Sequence, residues 1–468
     1  MIKFGTDGWR GIIAREFTFE NLSIVAQATI DYMKKEGLAE KGLVIGYDRR
    51  FLSREFAERS AEIAAANGIR VLLTEDYTPT PAVSWAVHSR GAGLGIMITA
   101  SHNPPVYNGF KVKESFGGSA RPSTTKTIEE QVEANIAQKR ESLSTPFAEA
   151  LSEGLITVFD ANADYHAQLR KYVDMDLIKK SGIRFVVDPM FGAGSGAFPA
   201  LLPEGVEIHG DCNPAFGGQA PEPIMEHLQE LSETVKKGGY RAGLALDGDA
   251  DRIGAVDENG EFFSSHMIYT VIMRHLIEHK GMRGGVVKTV STTQMINRLA
   301  EKYGIELFET PIGFKHICEL MLDHDILMGG EESGGLGVKG HIPERDGILM
   351  GLLLLEAMAM SGKSLKELLD ETMDEIGHFF YRRIDAQIEQ AAKERLIESL
   401  KSGGITEIAG AKVEATNFSD GFKFIFSGGS WLLIRPSGTE PVLRLYSEAG
   451  SLADVEKFLA AGRELAGL

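Results

Sequence analysis

Short apolar runs alternate with amphipathic stretches along most of the chain. The first three runs, at residues 43–47, 69–73 and 94–98, have the length of buried strands. Between them, residues 53–67 and 81–88 show the spacing of helices with one apolar face. Strands that alternate with helices predict a mostly parallel sheet joined by right-handed crossovers.

Two similar series follow, and the pattern then changes. The predicted strands of these series are residues 184–187, 206–209, 242–246, 285–288, 306–309 and 326–328. After residue 372 the chain instead offers strand-like runs with few helices between them, at residues 411–415, 422–426, 431–434 and 442–446. The fold class is therefore α/β, with three similar domains of mixed or parallel sheet and a C-terminal α+β domain with an antiparallel sheet. We predict domains at residues 1–152, 153–259, 260–372 and 373–468, and the three α/β series show no clear sequence repeat.

Composition narrows the class of protein. A chain of 468 residues is long enough for two to four domains, and its net charge of −17 argues against a nucleic-acid partner. Its two cysteines, Cys212 and Cys318, are far apart and favour a reducing compartment. We find no signal-peptide pattern and no apolar run long enough for a transmembrane helix, and we interpret the longest apolar helix, residues 348–360, as buried core. We therefore expect a cytoplasmic protein without a membrane partner.

The first chemically distinctive loop contains Ser101. It follows the predicted strand at residues 94–98, and Pro104 and Pro105 prevent a helix after it. Open α/β sheets bind their ligands at such strand ends, so Ser101 could be a nucleophile or a phosphoryl carrier. The alternative is a loop serine that bonds its own backbone. Lys111 alternates with apolar Val112 and could return toward Ser101, or it could be a surface lysine.

The chain opens with a glycine-rich segment, residues 4–11, that contains Arg10. Glycines so closely spaced indicate unusual backbone angles or a close approach to a ligand. Arg10 could contact a phosphate there, although a solvated arginine in a turn-rich strand explains the pattern equally well.

The second loop carries Asp247, Asp249 and Asp251. Three carboxylates so close together need a cation, and hard oxygen ligands favour Mg²⁺ over zinc. An EF-hand calcium loop is the competing interpretation, because Glu258 occupies its twelfth position. However, Arg252 stands where that loop requires glycine, and both flanks resemble strands. A solvated acidic turn is the remaining alternative, and Arg252 suits a phosphate that the metal also contacts.

Two later loops suit a sugar and a phosphate. Glu331 and Ser333 lie among glycines at residues 329–335 and could bind sugar hydroxyls, or could form an exposed hairpin. The segment at residues 435–441 offers an arginine, two hydroxyls and backbone amides, and could form a phosphate nest or a solvated turn. The glycine-rich turn at residues 192–196 is a weaker candidate for a phosphate cradle.

The order of these loops carries a family resemblance. The motifs are Thr99-Ala100-Ser101-His102-Asn103-Pro104, Asp247-Gly248-Asp249-Ala250-Asp251-Arg252, Gly330-Glu331-Glu332-Ser333-Gly334 and Arg435-Pro436-Ser437-Gly438-Thr439-Glu440-Pro441. With this set the chain resembles the α-D-phosphohexomutase family along its whole length. The resemblance implies four domains around a central cleft. It also implies reversible phosphoryl transfer between C1 and C6 of a hexose phosphate through a phosphoserine and a hexose 1,6-bisphosphate.

The resemblance also implies roles for individual residues. Ser101 would carry the phosphoryl group, with Arg10 and Lys111 beside it. Lys111 is the candidate general acid/base, and His102 is its rival. The metal site for Mg²⁺ would comprise Ser101, Asp247, Asp249 and Asp251. The substrate-binding residues would be Arg252, Lys315, Glu331, Ser333, Arg345, Arg435, Ser437, Gly438 and Thr439.

The identity of the sugar stays open in the sequence. The runs at residues 310–315 and 331–335 look more like the phosphoglucomutase branch of the family, but glucose and mannose differ only at C2. A phosphoglucosamine mutase is a further alternative. A catalytically silent sugar-phosphate-binding regulator should show a broken motif, and none is broken. A metal-dependent phosphatase would waste the phosphoserine. We expect a sugar phosphate as the partner, and a monomer or homodimer.

Overall fold

A computed structural model describes residues 2–5, 8–437 and 441–468 of the chain. Its first domain is built around a six-stranded sheet with strand order β1-β5-β4-β2-β3-β6. The elements are β1 (Gly8–Ile12), α1 (Phe19–Lys35), β2 (Leu43–Tyr47), α2 (Ser53–Ala66), β3 (Val71–Thr74), α3 (Thr80–Ser89), β4 (Leu94–Ile98), β5 (Tyr107–Glu114), α4 (Pro122–Ala137), α5 (Phe147–Ser152) and β6 (Ile156–Phe159). Strands β4, β2, β3 and β6 run parallel, whereas β5 and β1 are antiparallel to their neighbours.

The first sheet extends beyond the predicted domain boundary at residues 152 and 153. Strand β6 pairs with β3 from Val71 opposite Ile156 to Thr74 opposite Phe159. That boundary is therefore too early, because the four-residue edge strand β6 adds to the first sheet.

The second domain has the strand order β11-β10-β9-β7-β8. Its elements are α6 (Ala161–Tyr172), α7 (Met175–Ser181), β7 (Phe185–Asp188), α8 (Ala197–Leu201), β8 (Val206–Glu207), α9 (Gln229–Gly238), β9 (Ala242–Leu246), β10 (Ile253–Asp257) and β11 (Phe262–Phe263). Strand β8 has two residues rather than the four predicted at 206–209.

The third domain has the strand order β13-β12-β14-β15. Its elements are α10 (Ser265–Glu278), β12 (Gly285–Thr289), α11 (Gln294–Tyr303), β13 (Leu307–Thr310), α12 (Phe314–Asp323), β14 (Ile326–Gly330), β15 (Leu336–Val338), α13 (Gly347–Ser361) and α14 (Leu365–Ile376).

These three domains repeat one feature of topology. In each, a parallel strand is followed by a loop and then by an antiparallel neighbour: β4 and β5, β9 and β10, β14 and β15. Three loops connect these pairs. We call them the serine loop, which contains Ser101, the acidic loop, which contains Asp247, Asp249 and Asp251, and the Glu331 loop at residues 331–335. The repeat is therefore one of strand pairing, which the sequence alone does not show.

The fourth domain is an α+β unit, as predicted. Its elements are β16 (Phe380–Gln387), α15 (Gln390–Ser402), β17 (Glu407–Ile408), β18 (Ala411–Lys412), β19 (Ala415–Asn417), β20 (Phe422–Ile425), β21 (Trp431–Pro436), β22 (Val442–Ala449) and α16 (Leu452–Ala466). The main sheet has the order β16-β22-β21-β20-β19, and every pairing in it is antiparallel.

Helix α13 is the apolar centre of the molecule. The Asp346 side chain accepts the amide hydrogen of Leu349 at its start, and the helix ends at Gly362, whose φ is +72°. Its side chains join the apolar cores of the second and third domains into one cluster. Within the described ranges no single helix is long and apolar enough to cross a membrane. Among these residues, only the pair of α13 and α14, which are bent by 79° relative to each other, meets the length and composition of a membrane span.

Candidate active site

The serine loop and the acidic loop meet at the carboxyl ends of β4 and β9. The Ser101 hydroxyl donates a hydrogen bond to Oδ2 of Asp247, at 2.7 Å. Ser101 is 1% exposed and has a φ of +52°, a left-handed conformation that is rare for a residue with a side chain. A Cβ on Gly248 would lie 2.5 Å from the Ser101 carbonyl oxygen, so only glycine allows the two loops to approach this closely.

The three aspartates form one buried cluster. One carboxylate oxygen from each of Asp247, Asp249 and Asp251 lies within 4.8 Å of the others. Lys111 Nζ contacts Oδ2 of Asp249 at 2.8 Å and Oδ2 of Asp251 at 3.1 Å. Arg345 Nη2 donates to Oδ2 of Asp251 at 2.6 Å, and the Thr80 hydroxyl donates to Oδ2 of Asp249. First, second and third domains therefore all contribute to the cluster.

This cluster fits a hard cation. Oδ1 of Asp249 and Oδ1 of Asp251 are buried without a hydrogen-bond partner, which is costly for carboxylate oxygens unless a ligand contacts them. Carboxylate oxygens with no nitrogen or sulfur ligand in the cluster suit Mg²⁺. The flanking elements are the strands β9 and β10. The EF-hand alternative is therefore wrong, because an EF-hand places helices there.

The aspartates differ in protonation tendency. Burial, with the charges of Asp249 and Asp251, raises the pKa of Asp247 well above its usual value. Burial also acts on Asp249, but the Lys111 ammonium and the hydrogen bonds from Lys111 and Thr80 outweigh it and lower the Asp249 pKa. Contact with Lys111 therefore favours the charged form of Asp249.

Cationic side chains surround the serine loop. Arg10 Nη1 donates to the Asn103 side chain. Burial, with the charges of Arg252, Arg10 and Lys111, lowers the pKa of His102 well below its usual value, so its imidazole is neutral at pH 7. Lys111 is buried rather than on the surface, and its ammonium contacts two aspartates of the acidic loop. The two candidates for proton transfer thus have different charge states: His102 is neutral, and Lys111 is paired with carboxylates.

The Glu331 loop joins the same site. Glu331 accepts the amide hydrogen of Gly313 at 2.9 Å, and its Oε2 lies 3.8 Å from Nη1 of Arg345. Burial raises the Glu331 pKa, although Arg345 and Arg252 oppose the shift. Ser333 is half-buried in this loop, and Lys315 is half-buried in the first turn of α12.

The candidate phosphate loop belongs to the fourth domain. Arg435 Nε donates to Oδ1 of Asp420 at 2.8 Å, and Oδ2 of Asp420 accepts the amide hydrogen of Ile312 at 2.9 Å. Asp420 therefore links Arg435 to the segment before Lys315. Ser437 is buried, and its amide donates to the Val442 carbonyl. Gly438 and Thr439 lie outside the described residues.

Sequence reasoning missed several residues that support the site. The guanidinium of Arg50 lies among backbone carbonyls of the serine loop, and Asp48 contacts Arg50 and Thr99. Both follow the carboxyl end of β2, which is the signal that could have identified them. Neither Thr80 nor Asp420 belongs to a recognisable motif.

The glycine-rich turn at residues 192–196 supports the acidic loop and does not form a phosphate cradle. The Ala193 amide donates to the Gly248 carbonyl at 2.9 Å, and a Cβ on Gly192 would lie 2.7 Å from that carbonyl oxygen. The Ser195 hydroxyl bonds Arg49 of the first domain and the Gly192 carbonyl. The glycine at position 192 therefore permits a close backbone approach to the acidic loop.

Comparison with known proteins accounts for every domain. Four family models match: phosphoglucomutase/phosphomannomutase alpha/beta/alpha domains I (residues 1–139), II (163–260) and III (264–376), and the C-terminal domain (386–465). A phosphoglucomutase/phosphomannomutase of Thermococcus kodakarensis is 32% identical over 99% of this chain and 98% of its own length.

Two further relatives carry provisional names. A protein of Methanosphaera stadtmanae, named provisionally as a phosphoglucosamine mutase, is 32% identical over 95% of this chain and 94% of its own. A solved structure from Thermus thermophilus, named provisionally as a phosphomannomutase, superposes with a TM-score of 0.87 at 34% identity, over 100% of this chain and 99% of that one.

The four-domain fold with its buried serine and acidic loops, together with these matches, defines a phosphohexomutase. The chain belongs to the phosphoglucomutase/phosphomannomutase family, the α-D-phosphohexomutases. The predicted family and fold class are confirmed.

Proposed function

We propose that the protein moves a phosphoryl group reversibly between C1 and C6 of a hexose phosphate, with Ser101 as the carrier and a hexose 1,6-bisphosphate as the intermediate. The observation that carries the proposal is the hydrogen bond from the Ser101 hydroxyl to Asp247, inside a buried cluster with two unpartnered carboxylate oxygens. A serine that only stabilised its own loop would not need to face three aspartates of another domain.

The reaction is a pair of phosphoryl transfers. Phosphoserine 101 gives its phosphoryl group to the free hydroxyl of the sugar phosphate, so a phosphorus–oxygen bond forms at the sugar and breaks at Oγ. The bisphosphorylated sugar then turns around, and its other phosphoryl group returns to Oγ. Each transfer needs one proton moved from or to a sugar oxygen, for which Lys111 is our first candidate and His102 the rival.

Asp247, Asp249 and Asp251 would hold Mg²⁺ together with the phosphate on Ser101. When bound, the ion would withdraw charge from the group in transfer. The chain's own cations supply further positive charge. Arg10 and Lys111 lie beside the serine loop, and Arg345 contacts Asp251 and faces Glu331.

Sugar and distal phosphate would bind to separate loops. Glu331 and Ser333 would bind sugar hydroxyls that occupy the same positions in both orientations of the sugar. Arg252 after the acidic loop and Lys315 at the start of α12 are further candidates for substrate binding. Arg435, Ser437, Gly438 and Thr439 would bind the phosphate that does not react. Because Asp420 already orients Arg435, this guanidinium is placed before a ligand binds.

The choice of sugar divides the proposal into two candidates. Glucose and mannose phosphates are the first, and the glutamate-rich loop at residues 331–335 supports the phosphoglucomutase branch. Glucosamine phosphate is the second, because relatives of similar identity carry the name phosphoglucosamine mutase. A cytoplasmic location, a monomeric or homodimeric state and the absence of macromolecular partners stay predictions.

Mutase assays on glucose 1-phosphate, mannose 1-phosphate and glucosamine 1-phosphate, with Mg²⁺ and a trace of the matching bisphosphate, test this function. A lead of more than about tenfold in kcat/KM for one sugar corresponds to about 1.4 kcal/mol of discrimination and identifies the substrate. Similar rates for glucose and mannose define a dual-specificity enzyme. Turnover of none of the three would contradict the proposal.

A further inference from the structure

The backbone of the serine loop converges on one buried guanidinium. Arg50 Nη2 donates to the carbonyl oxygens of Ser101 and Asn103, at 2.5 and 2.7 Å. Its Nη1 donates to the carbonyl oxygens of Pro104 and Tyr107, at 3.0 Å each. The Arg50 side chain is fully buried. One side chain therefore fixes four carbonyl groups across seven residues of the loop.

A second set of bonds fixes the loop from the other side. Asp48 Oδ2 lies 3.2 Å from Nε of Arg50 and accepts the Thr99 hydroxyl at 2.6 Å. The Thr99 Oγ1 atom in turn accepts the amide hydrogen of Ser101, at 2.9 Å. The peptide groups on both sides of the Ser101 Cα are thus connected to the Asp48–Arg50 pair. This explains how Ser101 keeps its left-handed backbone conformation.

No N–H group of Arg50 is accessible to a substrate, because the side chain is fully buried. A guanidinium has five N–H groups, of which four belong to Nη1 and Nη2. Those four match four backbone carbonyls, whereas Nε lies 3.2 Å from Oδ2 of Asp48 without forming a hydrogen bond. Arg50 therefore differs from Arg10 and Arg435, which lie on surfaces that a phosphate could reach.

We propose that Arg50 is a positioning residue for phosphoryl transfer, which acts on the Ser101 oxygen through the backbone of the loop and never contacts the phosphoryl group. This inference rests on the proposed role of Ser101. In-line transfer depends on sub-ångström placement of the reacting oxygen, and loss of such placement lowers rates by about 10²-fold. A lysine cannot replace Arg50, because a single ammonium cannot reach four carbonyls in a fixed planar array.

Arg50→Lys is the variant that tests the proposal, with Arg274→Lys as control. Arg274 also makes several side-chain bonds: the bond to Glu278 lies within α10, those to Thr372 and Glu375 join α10 to α14, and none involves the serine loop. Three quantities are measured on folded protein: kcat, KM for glucose 1-phosphate, and the single-turnover rate of phosphoryl transfer from glucose 1,6-bisphosphate to Ser101, followed by intact mass after quenching.

In Arg50→Lys we expect kcat and the single-turnover rate to fall about 10²-fold, with KM within about threefold of the parent. In Arg274→Lys both rates should stay within about twofold, even if its melting temperature falls. A kcat within threefold of the parent in folded Arg50→Lys would overturn the proposal. So would a large rise in KM at unchanged kcat, because that result would make Arg50 a substrate-binding residue.

Asp48→Asn keeps the test decisive if Arg50→Lys does not fold. This variant keeps the size of the side chain but removes the charge that faces Nε, and we expect kcat to fall about tenfold. An unchanged kcat in folded Asp48→Asn would contradict the proposal. A parent enzyme that takes no phosphoryl group on Ser101 would instead overturn the proposed function. The two failures are therefore distinguishable.

Discussion

The boundary between the second and third domains differs in kind from the boundary between the third and fourth. The second and third domains share one apolar core, to which Leu244 and Leu246 of β9, Ile272 of α10 and Leu353 of α13 contribute. The fourth domain has its own core around β20, β21, β22 and α16. Its contact with the third domain combines a small apolar patch at Trp431 with charged and polar pairs.

Those polar pairs are unusually buried. Lys288 and Lys423 are both fully buried and both approach Glu309, at 3.5 and 3.1 Å. Oε2 of Glu448 accepts hydrogen bonds from the Gln294 amide and the Trp431 indole. Separating the shared apolar core would expose a large apolar surface, whereas polar contacts exchange for water at a small net free energy. We therefore expect the fourth domain to be the unit that can move.

This difference separates the chemistry from substrate capture. The three aspartates follow β9 of the shared core, Ser101 of the first domain is hydrogen-bonded to Asp247, and Arg435 lies in the fourth domain on the other side. Changes on the first side should reduce the rate of transfer, and changes on the second should reduce binding.

The largest effect is expected from Ser101→Ala. Without Oγ no phosphoryl carrier remains, so we expect mutase activity below about 1% of the parent with an unchanged melting temperature. Ser84→Ala is the matched control, because Ser84 is buried in α3 and its hydroxyl has no hydrogen-bond partner. More than a few per cent of activity in Ser101→Ala would remove the carrier role.

The acidic cluster should respond to metal in solution. If Mg²⁺ binds the folded site, a concentration of 100 times the Kd raises the free energy of unfolding by about 2.7 kcal/mol. We expect this rise in the parent protein, its reversal by a chelator, and its loss in Asp251→Asn. The exposed Asp374→Asn should keep it. An equal rise in the parent and in Asp251→Asn would place the metal elsewhere.

In the fourth domain, Arg435→Ala should weaken substrate binding. The loss of one charge-assisted contact corresponds to about 1.5–3 kcal/mol, or about 10- to 150-fold in kcat/KM, with most of the change in KM. Arg382→Ala, at an exposed arginine of β16 that pairs with Glu456, should leave both constants unchanged. Unchanged kcat and KM in Arg435→Ala would exclude its loop from the site.

The smallest effect concerns stability at the boundary between the third and fourth domains. Burial, and then the charge of Lys423, lowers the pKa of Lys288 to about 7, against Glu309 and Glu448. The unfolded chain therefore holds a proton that the folded chain releases between about pH 7 and the ordinary lysine pKa of about 10.4. The cost of burying the Lys288 charge lowers the free energy of unfolding by its full amount below pH 7. This cost disappears as the pH rises through this window.

Replacing Lys288 with methionine should remove that penalty. Because Glu309 keeps Lys423 as a partner, we expect Lys288→Met to be more stable than the parent at pH 6.5, with the advantage shrinking toward pH 10. Denaturant unfolding at several pH values measures the difference, and Lys366→Met, at a half-exposed lysine of α14, is the control. A difference in unfolding free energy that does not change with pH would show that the Lys288 charge does not destabilise the contact between the third and fourth domains.

Much of the site could be predicted because its chemistry is local in sequence. Ser101, the three aspartates and Glu331 lie in short loops after apolar strands, and open α/β sheets bind ligands at such strand ends. These strands belong to three different sheets, and the motifs alone do not show how the sheets face one another. Arg50, Thr80 and Asp420 could not be predicted in this way, because each acts through contacts with residues far along the chain. The site thus depends on pairings that no spacing rule encodes.

The fold shows the same division. Helix α13 was predicted within one residue at each end, since a long apolar run has only one stable arrangement inside a protein. Strand β6 was not predicted, although three of its four residues are apolar, and its pairing with β3 is a long-range contact that the local pattern does not show. The turn at residues 192–196 was only a weak candidate for a phosphate cradle, and its backbone instead packs against the acidic loop.

The most direct test of the account is the mass of the peptide that contains Ser101. Dephosphorylated protein is incubated with Mg²⁺ and glucose 1,6-bisphosphate. The protein is then digested, and the mass of the peptide that contains Ser101 is measured by mass spectrometry. We predict a gain of one phosphoryl group on that serine, matched by release of glucose monophosphate, and loss of the group when glucose 1-phosphate or glucose 6-phosphate is added. A peptide that stays unmodified while the protein still interconverts the two monophosphates would contradict the central claim.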